Sequence, residues 1–414
     1  MTDQLFSPLT LPNGAVLPNR LAKAAMEENL ADFGQVPGER LVRLYGRWAA
    51  GGVGLQITGN VMVDPSAMTG PGNVVLQEGA NLNPFRHWAK AAKSGGGQVW
   101  MQISHPGRQV YADMGEQAVS ASDVAVAIPG FSKLFGRPRI LTEPEIETLT
   151  ARFAATARLA AEAGFDGVEI HGAHGYLISQ FLSPLTNRRT DDWGGSLENR
   201  ARFLLEIVKA VRAAVPPGFC VAVKLNSADF QKGGFEAEDA ERVVQMLGGH
   251  GVDMVELSGG SYESPAMQGR MGDGSSARRE AYFVDFAQRI ARVAAMPIMV
   301  TGGITRLSVA QAAIEADEAG FGVAVLGLAR ALAFAPDLPN DWRAGRTPEI
   351  AVPTVSWSNT ALASLGTMAV AKTQLERMAA GRDPWPGVPA AWAVIADRAR
   401  TMARTRRYRA WRRR

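Results

Sequence analysis

Cysteine is almost absent from this sequence, and its scarcity excludes several classes of chemistry. Cys220 is the only cysteine among 414 residues. A single thiol can form neither an intrachain disulfide nor a CxxC redox pair, and it cannot supply a four-cysteine iron–sulfur cluster. Long apolar runs are also missing, since no stretch approaches the roughly 20 residues that span a membrane. The opening residues lack the basic and apolar regions of a signal peptide, so we expect a cytoplasmic protein.

Net positive charge is concentrated at the end of the chain. The formal net charge is +4, but nine arginines lie within residues 398–414, so the remainder of the chain carries −5. We favour a helical end that packs against the body of the protein or against a neighbouring subunit, because runs of charge are common on solvated helices. Contact of this tail with nucleic acid or an acidic membrane is the disfavoured alternative. Whether the protein forms a homo-oligomer stays open.

Short apolar segments alternate with segments of helical period along most of the chain. The predicted strands are residues 20–26, 53–63, 98–104, 165–170, 219–226, 253–257, 297–301 and 322–326; the predicted helices are 39–50, 83–94, 143–163, 197–214, 237–249, 280–294 and 307–316. Alternating strands and helices indicate a parallel sheet. Eight such units in roughly 330 residues predict an α/β protein with a (β/α)8 TIM barrel.

Three other regions flank or interrupt this alternation. Residues 5–19 alternate around Asn13-Gly14, which predicts an N-terminal β-hairpin. Residues 105–142 form a connection so long that we interpret it as a lid or binding loop. The predicted division is a (β/α)8 barrel domain at 1–345 and a helical C-terminal extension with the arginine-rich end at 346–414.

Two histidines and a tyrosine follow the fourth predicted strand, and they dominate the functional interpretation. His171, His174 and Tyr176 lie in a turn rich in glycine, at the end of a strand where α/β barrels carry their active sites. Three interpretations of the histidines stay open: part of a metal site, buried structural residues, or a neutral or cationic pair that polarises a substrate carbonyl. We favour the third and expect no metal, because no third ligand is evident nearby. Tyr176 would then deliver a proton.

Glycine-rich turns follow the seventh and eighth predicted strands. Gly302 and Gly303 follow strand seven, while Ala329 and Arg330 follow strand eight. The loops after these strands are the usual phosphate site of the fold, where free backbone N–H groups meet the anion. The glycines could instead only make tight turns. We favour a phosphate group held by both loops.

Two polar side chains lie near the ends of other predicted strands and could bind a flat heterocycle. Gln102 offers a donor and an acceptor, and Lys224 places a cation at the end of an apolar strand. Together they could bind the amide-like edge of a flavin, with the lysine stabilising negative charge on its reduced form. The alternative is a structural ion pair of Lys224 with Asp229 or Glu169.

The motifs resemble those of the Old Yellow Enzymes, which are FMN-dependent ene-reductases on a (β/α)8 barrel. The similarity extends from Leu5 to about Pro339, and its central part is long and specific. It is carried by Asn19-Arg20-Leu21, Gln102, His105-Pro-Gly-Arg108, His171-Gly-Ala-His174-Gly-Tyr176-Leu177, Gln180-Phe-Leu-Ser-Pro-Leu-Thr-Asn187, Arg189-Thr-Asp191, Gly194-Gly-Ser-Leu-Glu-Asn-Arg200, Thr301-Gly-Gly303 and Arg330.

The resemblance implies a role for each of these groups. FMN would lie across the barrel mouth, contacted by Ala24, Ala25, Met26, Asn60, Gln102, Lys224, Gly302, Gly303, Ala329 and Arg330. His171 and His174, with Tyr262 nearby, would bind the oxygen of an activated alkene. Hydride would pass from NADPH or NADH to the flavin and on to the alkene, and Tyr176 would donate the proton. The same barrel could instead serve a reductase of nitro compounds or nitrate esters, or an oxidative FMN dehydrogenase.

The sequence departs from the family pattern at three places. Lys224 stands where members usually have arginine, which keeps the charge but loses the planar fork. Glu27 stands where many members have cysteine or threonine beside the flavin, and we hypothesise an altered redox potential. Residues from 346 onward have no counterpart in the short members.

Overall fold

A closed barrel of eight parallel strands forms the centre of the structure, a computed structural model that describes residues 2–114, 117–128, 130–261, 263–264, 286–316 and 320–414. In chain order the strands are β1 (Leu9–Thr10), β2 (Val16–Leu17), β3 (Leu21–Lys23), β4 (Leu55–Ile57), β5 (Val61–Met62), β6 (Gln98–Ser104), β7 (Val119–Ser120), β8 (Arg139–Ile140), β9 (Gly167–Gly172), β10 (Cys220–Asn226), β11 (Met254–Ser258), β12 (Ile298–Thr301) and β13 (Val325–Leu328). The barrel follows the order β4-β3-β13-β12-β11-β10-β9-β6, and pairing of β4 with β6 closes it. The predicted (β/α)8 fold is confirmed.

Helices surround the barrel and continue past its last strand. They are α1 (Thr2–Leu5), α2 (Glu39–Ala50), α3 (Asn83–Ala92), α4 (Glu143–Glu162), α5 (Leu177–Leu182), α6 (Leu197–Ala214), α7 (Ala237–Leu247), α8 (Leu307–Ile314), α9 (Arg330–Phe334), α10 (Leu338–Arg343), α11 (Thr360–Ala379) and α12 (Ala390–Arg412). Helix α2 shows why they form, since Leu41, Leu44, Tyr45 and Trp48 recur at helical spacing and are buried on one face. The predicted helix 280–294 lies largely outside the described residues, although residues 286–291 are helical.

The second predicted strand, residues 53–63, is wrong as a single element. The structure divides it into β4 and β5. Between them the N–H of Gly59 donates to Glu28 Oε1 at 3.2 Å and to the Tyr45 hydroxyl at 3.0 Å, instead of to a neighbouring strand. A buried N–H needs an acceptor, and here side chains distant in sequence provide it. Sequence periodicity therefore could not locate the interruption.

The arginine-rich end packs against the barrel through contacts within the chain. Tyr408 of α12 is buried, and its hydroxyl donates to the Pro65 carbonyl at 3.0 Å. Arg404 forms an ion pair with Glu376 of α11, which also binds Arg40 of α2. These contacts connect both terminal helices to the barrel, whereas the division of the chain at residue 345 stays a prediction.

A layer of polar side chains crosses the barrel interior, which we call the interior charge layer: Gln102, Glu169, Lys224, Glu256 and Thr301. Lys224 Nζ lies 2.5 Å from Glu256 Oε1, and the Thr301 hydroxyl donates to the same oxygen at 2.6 Å. Gln102 Nε2 donates to Glu169 Oε1 at 2.6 Å. The ion-pair partner of Lys224 is thus Glu256, not Asp229 or Glu169. Adjacent parallel strands in register place these residues together.

The interior charge layer contains two buried carboxyls around one lysine, so one of them is neutral. Burial and the neighbouring Glu256 raise the pKa of Glu169 well above its ordinary value. Burial opposes ionisation of Glu256 too, but Lys224 holds the pKa of Glu256 down at about 2. Among the described residues, the Oε2 atom of neither carboxyl has another donor. A proton on Glu169, donated to Glu256, satisfies both atoms.

The assigned charges predict that two variants of this layer lose different amounts of unfolding free energy. Glu169→Gln replaces a neutral acid by an amide of the same shape, and we expect it to lower the free energy of unfolding by about 1 kcal/mol or less. Glu169→Gln with Glu256→Gln removes both carboxyls from Lys224 and should cost about 3–5 kcal/mol, because a buried cation loses its partner. Urea denaturation at pH 7 measures both. Similar losses in the two variants would contradict the assignment.

Candidate active site

The carboxyl ends of the barrel strands bring the predicted histidines and tyrosine together. His171 lies within β9, opposite Lys224 in β10. The chain then turns sharply, with positive φ at His174 and Gly175, and the His174 N–H donates to Asn226 Oδ1 at 3.1 Å. A left-handed backbone is uncommon outside glycine, so this hydrogen bond stabilises a strained conformation. The turn thereby returns His174 and Tyr176 toward His171.

The three rings form one cluster. The centroids of His171 and His174 are 5.0 Å apart, and those of His171 and Tyr176 are 4.8 Å apart, both edge to face. His171 Nδ1 accepts the N–H of Ala173 at 3.3 Å, which assigns the ring hydrogen to Nε2. His174 Nε2 lies 2.8 Å from the Ser258 hydroxyl. His171 therefore has a donor available on the nitrogen that does not face the backbone.

Both imidazoles are neutral at physiological pH. Burial lowers the pKa of His174 to about 3 and that of His171 well below its ordinary value, with Lys224 adding to both effects. Of the two charge states that the sequence left open, the structure supports the neutral one. Within the described ranges, no group of three or more His, Cys, Asp or Glu side chains could hold a metal ion. The arrangement suits hydrogen-bond donation to a carbonyl oxygen.

The residues expected at the phosphate of a cofactor lie on adjacent loops. Strands β12 and β13 are in register from Met299 to Thr301, so Gly302 and Gly303 begin one loop beside the loop of Ala329 and Arg330. A cavity of about 710 Å³ is lined by residues 305–308, Gln311, Trp342 and 347–351, and none of the four expected phosphate residues lines it. The cavity borders the start of α8 and not the histidines.

The residues expected around a flavin ring lie at the same end of the barrel. Ala24, Ala25 and Met26 directly follow β3, and the Ala24 N–H donates to the Leu328 carbonyl at 3.0 Å. Asn60 follows β4, and its amide donates to the Thr69 hydroxyl at 2.9 Å. Tyr262 lies outside the described residues.

The residues present fit FMN. Gln102 and Lys224 are held by Glu169 and Glu256, yet each has hydrogen-bonding capacity left, because an ammonium has three donors and an amide has two donors and an acceptor. These groups would face the pyrimidine edge of the ring. Backbone N–H groups after β12 and β13 would bind the phosphate. The donor set therefore covers both ends of the cofactor.

Sequence reasoning missed several residues of this site. The sequence did not identify Glu256 as the partner of Lys224, or Ser258 as the partner of His174. The sequence signal was weak, because each lies in an apolar strand and the residue that it contacts comes from a different βα unit, about 30 or more residues away in the chain. Lys372, from α11, lies 3.7 Å from Glu27 and carried no sequence signal at all.

Comparison with known proteins gives the same assignment. The family model of the NADH:flavin oxidoreductase / NADH oxidase family matches residues 4–349. The chain is 39% identical over 355 residues to the NADH-dependent flavin oxidoreductase iliE of Hypocrea jecorina, covering 80% of this chain and 87% of that protein. It is 39% identical over 358 residues to iliE of a Neonectria species, but spans only 46% of that protein's length.

Solved structures share the barrel. Morphinone reductase in complex with tetrahydroNAD superposes with a TM-score of 0.68 at 27% identity, covering 84% of this chain and 92% of that one. None of the described helices is long and apolar enough to cross a membrane. Because the family match extends over most of its length, the chain belongs to the NADH:flavin oxidoreductase / NADH oxidase family, with FMN and NAD(P)H as its cofactors.

Proposed function

We propose that this protein is an FMN-dependent ene-reductase that uses NAD(P)H to reduce the activated C=C bond of α,β-unsaturated carbonyl compounds. The observation that carries the proposal is the cluster of two neutral imidazoles with Tyr176 at the barrel mouth. The family membership and the structural similarity to morphinone reductase support it.

The histidines would bind the carbonyl oxygen of the substrate. A neutral imidazole N–H donates a hydrogen bond without giving up its proton, so it withdraws electron density while the oxygen stays unprotonated. His171 Nε2–H is available for this role, and the hydrogen bond between His174 and Ser258 orients the second ring. Polarisation of the carbonyl makes the β-carbon more electrophilic.

The flavin site would be formed by the strand-end residues. Gln102, Lys224 and Asn60 would contact the ring with residues 24–26, while Gly302, Gly303, Ala329 and Arg330 would bind the phosphate. FMN, when bound, supplies the hydride for the β-carbon. Glu256 lies 2.5 Å from the ammonium group of Lys224 and would offset part of the positive charge that this lysine presents to the ring.

Tyr176 would complete the reduction by donating a proton to the α-carbon. Its ring lies against His171, so a carbonyl bound at the histidines places the adjacent carbons near the phenol. Tyr176 is buried, which limits direct protonation by solvent. A positioned phenol is a competent general acid.

The visible spectrum of the purified protein tests the proposal. We expect flavin absorbance that NADH or NADPH bleaches and that cyclohexenone or maleimide restores. Titration with each nicotinamide reveals the preferred reductant. A colourless protein that does not bind added FMN would refute the proposal, and reoxidation by nitro compounds but not by enones would favour the alternative reductase.

Removal of both imidazoles should weaken ligand binding at the mouth. His171→Ala with His174→Ala eliminates two hydrogen bonds to a bound oxygen, and we expect the affinity for a phenol to fall about 30- to 100-fold while FMN remains bound. Titration of the flavin absorbance with the phenol measures the affinity. His87→Ala, on an exposed face of α3, is the control. Unchanged phenol affinity in the double variant would argue against the assigned role.

Tyr176→Phe should separate the two half-reactions. The variant lacks the proton donor, so we expect reoxidation of reduced flavin by the alkene to slow about 10²- to 10⁴-fold. Flavin reduction by the nicotinamide involves no such proton transfer and should keep its rate. Stopped-flow measurement of each half-reaction distinguishes them, and an equal loss in both would show that Tyr176 is not the acid.

A further inference from the structure

A lysine from the C-terminal extension reaches the barrel mouth. Lys372 lies in α11, beyond residues 4–349 that match the family model. Its Nζ donates to Asn29 Oδ1 at 2.7 Å and lies 3.7 Å from Glu27 Oε2. Glu27 and Asn29 follow β3, at the end of the barrel that carries the candidate active site. A residue distant in sequence thus provides the nearest described cation to Glu27.

The second carboxylate oxygen of Glu27 accepts hydrogen bonds from residues of the barrel. Glu27 Oε1 accepts the Thr69 hydroxyl at 2.8 Å and Asn73 Nδ2 at 3.2 Å. Asn60, one of the expected flavin contacts, donates to the same Thr69 hydroxyl at 2.9 Å. The carboxyl of Glu27 therefore bridges Lys372 to the polar residues that follow β4.

These contacts keep Glu27 ionised. Burial alone would raise the pKa of Glu27, but Lys372, Thr69 and Asn73 hold it below its ordinary value. Among the described residues, Tyr111 in the loop after β6 also faces Glu27, and Asp113 lies near the same phenol. Burial and the charge of Glu27 raise the pKa of Tyr111 to about 12, with Arg398 of α12 opposing and Asp397 contributing in the same direction as Glu27. At neutral pH Glu27 and Lys372 therefore form an ion pair beside the residues that follow β3.

Helix α11 is anchored so that Lys372 stays in place. Glu376, one helical turn further, pairs with Arg40 of α2 and with Arg404 of α12. The Glu376 side chain is only 11% exposed, so these are partly buried ion pairs and not solvated ones. A rigid support is what a positioning residue requires.

We propose that Lys372 is a positioning residue of the flavin site, which fixes Glu27 as a carboxylate at the end of β3 and cancels its charge beside the flavin. The inference rests on the proposed function, because it needs the flavin at the barrel mouth. A fixed charge near the ring changes the stability of the reduced flavin relative to the oxidised one. The extension thereby takes part in setting the reduction potential.

The charges of the variants give the expected order of potentials. The Glu27 and Lys372 charges sum to zero in the natural protein. Glu27→Gln leaves the lysine unpaired, and this positive charge should favour the reduced flavin, which carries negative charge. Glu27→Gln with Lys372→Met is neutral again and should return the equilibrium toward that of the natural protein.

Infrared titration of the Glu27 carboxyl tests the ion pair without relying on activity. The Glu27 band is identified by subtracting the spectrum of Glu27→Gln. In Lys372→Met we expect it to titrate about one pH unit higher than in the natural protein, because the stabilising cation is gone. Lys372→Arg should restore the natural value. Arg377→Met, which removes a positive charge from the same helix but bonds to the Asp383 carbonyl, is the matched control.

Equilibration of the flavin with a redox dye tests the effect of this ion pair on the reduction potential. We expect Glu27→Gln to raise the ratio of reduced to oxidised flavin about tenfold, and the double variant to reverse most of that change. This comparison holds even if Lys372→Met alone folds poorly. A yellow protein whose dye equilibrium is the same in all variants, or whose Glu27 titration does not move, would overturn the inference alone. A colourless protein would instead overturn the proposed function on which it rests.

Discussion

The ammonium group of Lys224, set between two buried carboxyls, is the interaction on which the active site depends. Glu256 balances the charge, Glu169 carries a proton, and Gln102 and Thr301 complete the hydrogen bonds. A lysine buried without these partners would be costly. With them it lies at the strand ends as an oriented donor whose charge is largely offset. The barrel mouth can therefore hold a redox cofactor next to an interior charge layer that is nearly neutral.

Burial also sets the protonation state of the two histidines of the site. His171 and His174 are neutral because burial and the nearby lysine disfavour a second positive charge. Lys224 thus adds to the effect of burial, which is the larger cause of the lowered pKa values. Neutral donors polarise a carbonyl, and an adjacent phenol is placed for proton transfer.

The C-terminal extension adds a third element, because its helices are packed onto the barrel and are not a free tail. Tyr408 is fully buried, and two arginines of the end share the carboxylate of Glu376 as their partner. Arg400 and Arg404 both pair with Glu376, whereas most of the other arginines of this end are exposed on the helix surface. The contact of Lys372 with Glu27 extends this packing as far as the residues after β3.

The barrel, the positions of most helices and the clustering of the two histidines with Tyr176 could be predicted from the sequence. These features depend on periodicity and on motifs that are contiguous in the chain, so they can be recognised without coordinates. The tertiary structure alone decided that Glu256 partners Lys224, that Ser258 orients His174 and that Lys372 meets Glu27. Each is a contact between residues far apart in the chain, produced by barrel closure or helix packing. Local sequence carries no signal for such contacts, because either partner would look the same in its own strand or helix without the other.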